Sequence, residues 1–338
     1  MSTTGMARNI GMRELTFTEA AREGLAEEME RDPMVFVVGE GIGARGGNFA
    51  TTVGLFERFG AERLRDTPIA ERGFTGLCTG AAMAGARPVV DYMFFDFALD
   101  ALGEIINQTS KIQYMSDGRL RMPIVLRGCV GVGSSAATHH SGSYYSLFAH
   151  VPGLRVVAPT TPRDAKGLLK TAIRCDDPVV FMEHRSVLNL KGPVPDAELD
   201  ELIPLGLASV RREGTDVSVV GIANTVNQAL AASEVLAGEG ASVEVIDPRS
   251  LAPLDIDTVL ASVARTGRLL IVDEDYGPCG VGAEIAAQVA DRGFDDLDAP
   301  IRRLNSRHAP IPYGPPLEGA LIPTVDSVAQ ALRDLLAE

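Results

Sequence analysis

A lone carboxylate stands where an apolar helix begins. Arg65-Asp66-Thr67-Pro68-Ile69-Ala70-Glu71-Arg72-Gly73-Phe74 runs into Thr75-Gly76-Leu77-Cys78-Thr79-Gly80-Ala81-Ala82-Met83-Ala84-Gly85, a stretch of small and apolar residues. A charged carboxylate entering such surroundings costs several kcal/mol unless it is paired or keeps its proton. Two readings of Glu71 stand. It is an acid at an exposed helix start, where acids are at home, or a carboxyl held near neutrality in a dry pocket, as proton transfer requires.

A second place for proton chemistry is Thr138-His139-His140-Ser141, which closes a Gly- and Ser-rich loop from Cys129 to Ala137. Imidazole gives and takes protons near neutral pH. Adjacent histidines on a loop rarely both ligate a metal, and no third ligand is spaced to help. A third place is Gly39-Glu40-Gly41-Ile42-Gly43, behind an apolar run. It invites a dinucleotide reading, but the glycine spacing is wrong and Ala44-Arg45-Gly46-Gly47 extends the loop instead of opening a helix. It reads as a structural or substrate-access loop.

The elements that must position these residues follow from periodicity. Residues 34–38, 88–93, 123–128 and 178–183 are continuous apolar runs of strand length, the pattern of a parallel sheet buried on both faces. Residues 16–32 read as an amphipathic helix capped by Thr16 or Thr18 and stopped by Pro33. Residues 161–170 open a helix with Thr161 as cap and Pro162 at its first position. A long helix is expected from the aromatic run Phe94-Phe95-Asp96-Phe97 through to Ser116. Residues 191–213 mix Pro, Gly and charge and read as a linker. Beyond it, strands at 216–221, 243–247, 269–274 and 301–304 alternate with helices at 225–236, 280–289 and 325–336. The fold class is therefore α/β: two domains, 12–190 and 214–338, each a mostly parallel sheet covered by helices.

Bulk properties narrow the function. A chain of 338 residues suggests about two domains. Its net charge of −14 argues against nucleic acid and anionic membrane surfaces, which want a basic face. Cys78, Cys129, Cys175 and Cys279 form no C-x-x-C pair and read as reduced thiols of a cytoplasmic protein. Met1-Ser2-Thr3-Thr4-Gly5 has no apolar core, so no secretory leader is expected. No apolar run approaches the ~18 residues of a membrane span.

The words around Glu71, Asp66-Thr67-Pro68-Ile69-Ala70-Glu71-x-Gly73-Phe74 and the Gly/Ala-rich helix after them, resemble the β subunit of two-subunit 2-oxo acid dehydrogenases. These are the thiamine-diphosphate decarboxylases of the pyruvate, branched-chain and acetoin dehydrogenase complexes. The resemblance covers nearly the whole chain, including Arg127-Gly128 to His140-Ser141 without a gap, and Asp247-Pro248-Arg249-Ser250-Leu251-Ala252-Pro253-Leu254-Asp255. It implies a thiamine-diphosphate-binding-like pyrimidine domain followed by a transketolase C-terminal-like domain. It implies that Glu71 hydrogen-bonds the ring nitrogen of the cofactor's aminopyrimidine, and that Met93 and Phe97 pack on that ring. It implies that His140, rather than His139, lies over the thiazolium side and serves the substrate oxygen. It also implies a structural potassium ion on the main-chain oxygens of Ile124, Ala172, Cys175 and Asp177. Carbonyls at a helix end suit such a cation, though an ordinary solvated helix end fits as well.

Two positions depart from the family: Gly142, where Gln is usual, and Arg72, where a smaller or apolar residue is usual. Both are expected to border the substrate space. No Gly-Asp-Gly occurs to hold Mg²⁺ and a diphosphate. The resemblance then implies an α subunit that supplies that half in an α2β2 assembly. It also implies a lipoyl acyltransferase core as a further partner and a small 2-oxo acid as substrate. Two alternatives stay open. One is the C-terminal half of a split transketolase, with Arg45 and Arg72 as its phosphate-binding cations. The other is a non-catalytic scaffold subunit. Nothing in the second domain reads as catalytic, and Arg307, His308 and Tyr313 read as surface residues able to meet a partner.

Overall fold

The structure is a computed structural model that describes residues 11–338; the expectation for the first five residues lies outside them. In chain order the strands are β1 (Met12–Thr16), β2 (Val35–Gly39), β3 (Leu64–Asp66), β4 (Arg87–Phe94), β5 (Val125–Val130), β6 (Arg155–Val157), β7 (Val179–His184), β8 (Lys191–Pro195), β9 (Ser209–Arg212), β10 (Val217–Gly221), β11 (Val243–Asp247), β12 (Ser250–Ala252), β13 (Leu269–Tyr276) and β14 (Arg302–Ser306).

The first sheet runs β12-β6-β7-β5-β4-β2-β3 and is parallel except at its antiparallel β12 edge. The second runs β14-β13-β10-β11-β9 and is parallel except for β9. The apolar runs account for this. β5 and β7 are buried at every position, because helices cover both faces. One cover is the Phe17–Arg31 helix, where Thr16 and Glu19 form a reciprocal capping box and Phe17, Leu25 and Met29 point inward. It packs on the Pro162–Arg174 helix, where Lys166 and Lys170 are buried against Glu23 and Glu27 at 2.5 and 2.6 Å. On the other face the Glu71–Met83 helix places Phe74, Cys78 and Ala82 over β4.

The two domains are joined more closely than a linker would join them. One apolar cluster runs from Phe74, Tyr92 and Phe148 into Ile222, Ile246 and Ile271 of the second domain. β12, from the second half of the chain, adds to the first sheet. The stretch 191–213 is itself ordered by pairing. β8 lies antiparallel to β1, and β9 edges the second sheet. The long helix expected after Phe94 is broken into a 3₁₀ segment (Phe95–Ala101), one short α turn (Leu102–Glu104), a π turn (Ile105–Thr109) and a last α turn (Ile112–Met115). Ser110 contributes to the break, since its Oγ turns back onto Ile106 O at 2.7 Å. No helix among the described residues is long and apolar enough to cross a membrane.

Loops leave β2, β3, β4, β5 and β7 at their carboxyl ends, the edge at which open α/β sheets build their sites.

Candidate functional site

Glu71 is the first residue of its helix, separated from the end of β3 by residues 67–70, and is only 8% exposed. A solvated capping acid would be open to water, and this carboxyl is not. Its neighbour across the strand ends is Glu40, in the loop after β2. Burial, and then the charge of Glu71, push Glu40 above the usual carboxylate range. Glu40 Oε1 is buried without a hydrogen-bond partner. Tyr92 lies beneath, its hydroxyl 2.6 Å from Thr75 Oγ1. Its phenol is pushed up by burial foremost, with Glu71 adding to the shift. A like charge nearby in a poorly solvated place favours the neutral form of a carboxyl, which is the cause of the Glu40 shift.

A second group gathers at the ends of β4 and β5. Met93 sits in left-handed backbone, φ +58°, which a side chain adopts only under constraint. Asp91 supplies it by accepting the Met93 N–H and the Thr51 hydroxyl, both at 2.9 Å. Asn48 Nδ2 donates to Met93 Sδ at 2.8 Å. Phe94 stands edge-on to Phe49 at 5.1 Å and to Phe97 at 6.0 Å. His140 meets Phe94 at 4.5 Å and Phe97 at 5.4 Å, ring centre to ring centre, whereas His139 is exposed. Met93, Phe97 and His140 thus come together around Phe94, a residue the sequence reading passed over. No hydrogen bond among the described residues ties this group to Glu71.

His140 rides on a loop closed at its throat, where the Gly131 N–H donates to Gly142 O at 3.0 Å. Ser134, Ser135 and Ala137 within it are left-handed. Arg185, just past β7, donates to Gly133 O at 2.6 Å and to His140 O, and its guanidinium lies 5.1 Å from the Phe94 ring. Arg185 Nε is buried and unpartnered. Asp96 accepts the Gly142 N–H at 3.1 Å and the Tyr144 hydroxyl at 3.4 Å, while its other oxygen is buried without a partner. Burial pushes Asp96 up, and these hydrogen bonds, with His140, pull part of the shift back.

The two departures from the family separate here. A Cβ at Gly142 would lie 1.9 Å from the Tyr144 ring, so glycine is what lets Tyr144 lie there. Arg72 does not join the site residues. Its side chain is 71% exposed and pairs with Glu104 at 3.2 Å, because its place on the helix is turned away from the sheet. Arg45 is exposed as well.

At the end of the Pro162–Arg174 helix, Ile124 O accepts the Val179 N–H at 2.9 Å, and Ala172 O accepts the Cys175 N–H at 3.3 Å. Arg87, held by Asp176 at 2.6 Å, donates to Cys175 O at 3.1 Å. Asp177 turns its side chain to Arg155 at 2.6 Å. The first three oxygens keep one lone pair each for a cation, beside a guanidinium that already answers the helix's negative end. No cluster of three or more His, Cys, Asp or Glu able to hold a metal occurs among the described residues.

Buried polar atoms without partners are costly; one lies on Glu40 near Glu71, and two, on Asp96 and Arg185, lie beside the aromatic wall. A ring with polar edges and an apolar face fits such a lining.

Comparison with known proteins identifies the family. Residues 13–191 match the family described as Transketolase, pyrimidine binding domain, and residues 206–328 match Transketolase, C-terminal domain. The chain is 42% identical to the pyruvate dehydrogenase E1 component subunit beta-2 of Oryza sativa subsp. japonica, over 97% of this chain and 88% of that one. It is 44% identical to the corresponding beta subunit of Rickettsia felis, over 95% and 98%. It is 42% identical to the acetoin:2,6-dichlorophenolindophenol oxidoreductase subunit beta of Bacillus subtilis, over 98% and 99%. A solved split-gene transketolase, an inactive β4 tetramer, shares the fold with a TM-score of 0.76 at 22% identity, covering 96% of this chain and 98% of that one. The chain belongs to the β-subunit family of the thiamine-diphosphate-dependent 2-oxo acid dehydrogenases, the enzymes of the pyruvate and acetoin dehydrogenase type.

Proposed function

We propose that this chain is the β subunit of a decarboxylase acting on a 2-oxo acid, or cleaving acetoin, and passing the acyl group to lipoamide. The observation that carries the reading is Glu71, buried at a helix start beside the unpaired Glu40, at the carboxyl edge of the parallel sheet. Bound thiamine diphosphate would supply the electron sink that lets a 2-oxo acid lose carbon dioxide. The residues of this chain do the rest. Glu71 exchanges a proton with the aminopyrimidine ring nitrogen, with Glu40 beside it. Met93, Phe94 and Phe97 form the wall that orients the ring and keeps water away. His140, steadied on that wall, gives and takes a proton at the substrate oxygen.

The diphosphate end lies outside this reading of the chain. No Gly-Asp-Gly is present, so an α subunit holds Mg²⁺ and diphosphate in an α2β2 heterotetramer that docks on a lipoyl acyltransferase core. The enzyme works in the cytoplasm. Potassium at the oxygens of Ile124, Ala172, Cys175 and Asp177 would brace the end of the Pro162–Arg174 helix.

The test is decarboxylation by the chain co-expressed with its α subunit, on pyruvate, branched 2-oxo acids and acetoin, with an artificial electron acceptor. Activity should need both chains and thiamine diphosphate. Glu71→Ala and Glu71→Gln should each lose about 10²–10⁴-fold, the usual worth of positioned proton transfer. Activity by this chain alone, or a Glu71→Gln variant as fast as wild type, would sink the mechanism.

A further inference from the structure

We propose that Glu274, in the second domain, is a positioning residue for the loop that carries His140. This rests on the role proposed above for His140. Glu274 lies in β13 and is buried. Its Oε1 accepts the Val132 N–H at 2.5 Å and faces His184 Nε2 at 2.9 Å. The other nitrogen of that ring fixes the tautomer. His184 Nδ1 accepts the Ser186 N–H at 3.1 Å, so the neutral ring carries its hydrogen on Nε2 and donates it to Glu274. One carboxylate oxygen from the second domain therefore gathers two N–H groups of the first.

Both N–H groups sit at the root of the His140 loop. Val132 is the second residue of that loop, and His184 ends β7 directly before Arg185. The fit is close. Gly131 has φ +87°, and a Cβ there would stand 2.1 Å from His184 Nε2, so only glycine passes. The second domain takes a further hold near the tip, where Thr138 Oγ1 donates to Ile311 O at 2.8 Å. Between these two grips lie left-handed Ser134, Ser135 and Ala137. Such backbone persists only where its surroundings over-determine it. Arg185 supplies part of that constraint from the first domain, through Gly133 O and His140 O. Glu274 supplies the part at the throat.

The experiment uses the complex reconstituted with the α subunit and reads two quantities. The first is kinetic. Glu274→Ala should lower kcat by about 10–100-fold, the scale of a displacement near 1 Å at a reacting group, with KM little changed. Glu274→Gln, whose carbonyl still accepts both N–H groups, should restore most of the rate. In a His140→Ala background, Glu274→Ala should cost almost nothing more. The second is amide hydrogen exchange over residues 131–142, which should quicken in Glu274→Ala and stay slow in Glu274→Gln. That arm needs no turnover. If the wild-type complex fails to decarboxylate any acid, the proposed activity falls while exchange still decides the clamp. Should Glu274→Ala not fold, Glu274→Asp, too short to span both N–H groups, takes its place with the same expectations. Unchanged exchange, or a kinetic loss that adds in full to that of His140→Ala, overturns the proposal.

Discussion

Replacing Gly142 by alanine tests how the site is packed. The backbone there lies outside the left-handed region, so alanine meets no strain of its own and the effect is one of space alone. The new Cβ would stand 1.9, 2.3 and 2.6 Å from Tyr144 Cε2, Cζ and Oη. Ordinary carbon contacts need 3.5–4.0 Å, so the ring must retreat by roughly 1.5–2 Å. Overpacking of this kind costs about 1–3 kcal/mol. The bond from the Tyr144 hydroxyl to Asp96 goes with it, worth about 1 kcal/mol at most given its 3.4 Å length. We expect a loss of about 2–3 kcal/mol, which for a chain of 338 residues lowers Tm by about 3–4 °C. Gly142 stands two residues from His140, so kcat should fall by about tenfold or more. Differential scanning calorimetry and steady-state kinetics on the substrate panel read both numbers. The decisive control makes Gly142→Ala in a Tyr144→Ala background, where the obstacle is gone and the added alanine should cost almost nothing beyond Tyr144→Ala alone. If Gly142→Ala matches wild type in Tm and rate, or if it costs as much in the Tyr144→Ala background as in wild type, the packing argument is wrong.

Other perturbations follow from single contacts. Arg127 and Glu183 form a two-pronged ion pair at 2.7 and 2.9 Å, buried at both ends, so Glu183→Ala should cost about 3–5 kcal/mol in denaturant titration while Arg127→Met with Glu183→Leu recovers most of it. Asp247 is pushed up to about 7, by burial first and then by the charge of Asp164. A carboxyl raised in the fold gives stability at low pH that is lost as pH rises through its folded pKa. Asp247→Asn should therefore flatten the decline between about pH 4 and pH 7 and be most stabilising, relative to wild type, at pH 8. Met93→Gly relieves left-handed backbone worth about 1–2 kcal/mol and strips the wall beside Phe94, so stability should hold or rise while activity drops. A variant that loses both together would show that Met93 serves packing rather than the site.

What was legible in the chain follows the range of the forces involved. β2, β4, β5 and β7 stood out because both of their faces are covered, which writes an unbroken apolar run. The Thr16 and Thr161 caps were legible because capping is settled within three residues. β8 was not, since Lys191-Gly192-Pro193 has no strand propensity and is extended only by pairing with β1 across the chain. The same holds for β12, three residues recruited to the edge of a sheet laid down by the first half of the chain. The broken helix after Phe94 was missed because its aromatic spacing is helical while its hydrogen bonds are not.

The site divides along the same line. Glu71 drew attention because a charge preceding an apolar helix is a local contradiction, and contradictions between levels collect at sites. His139 and His140 differ in no local property; the Phe94 ring distinguishes them, and it comes from another strand. Glu40, Asp96, Arg185 and Glu274 look ordinary in sequence, each a charged residue in or beside the last residues of a strand. What marks them is an unpaired buried atom, or a hydrogen bond to main chain far away in sequence, and neither exists until the sheet has formed. A loop as strained as that of His140 cannot be specified by its own residues. Its conformation has to be imposed by neighbours, and here the neighbours come from both domains, so a loop on the first sheet depends on a strand of the second.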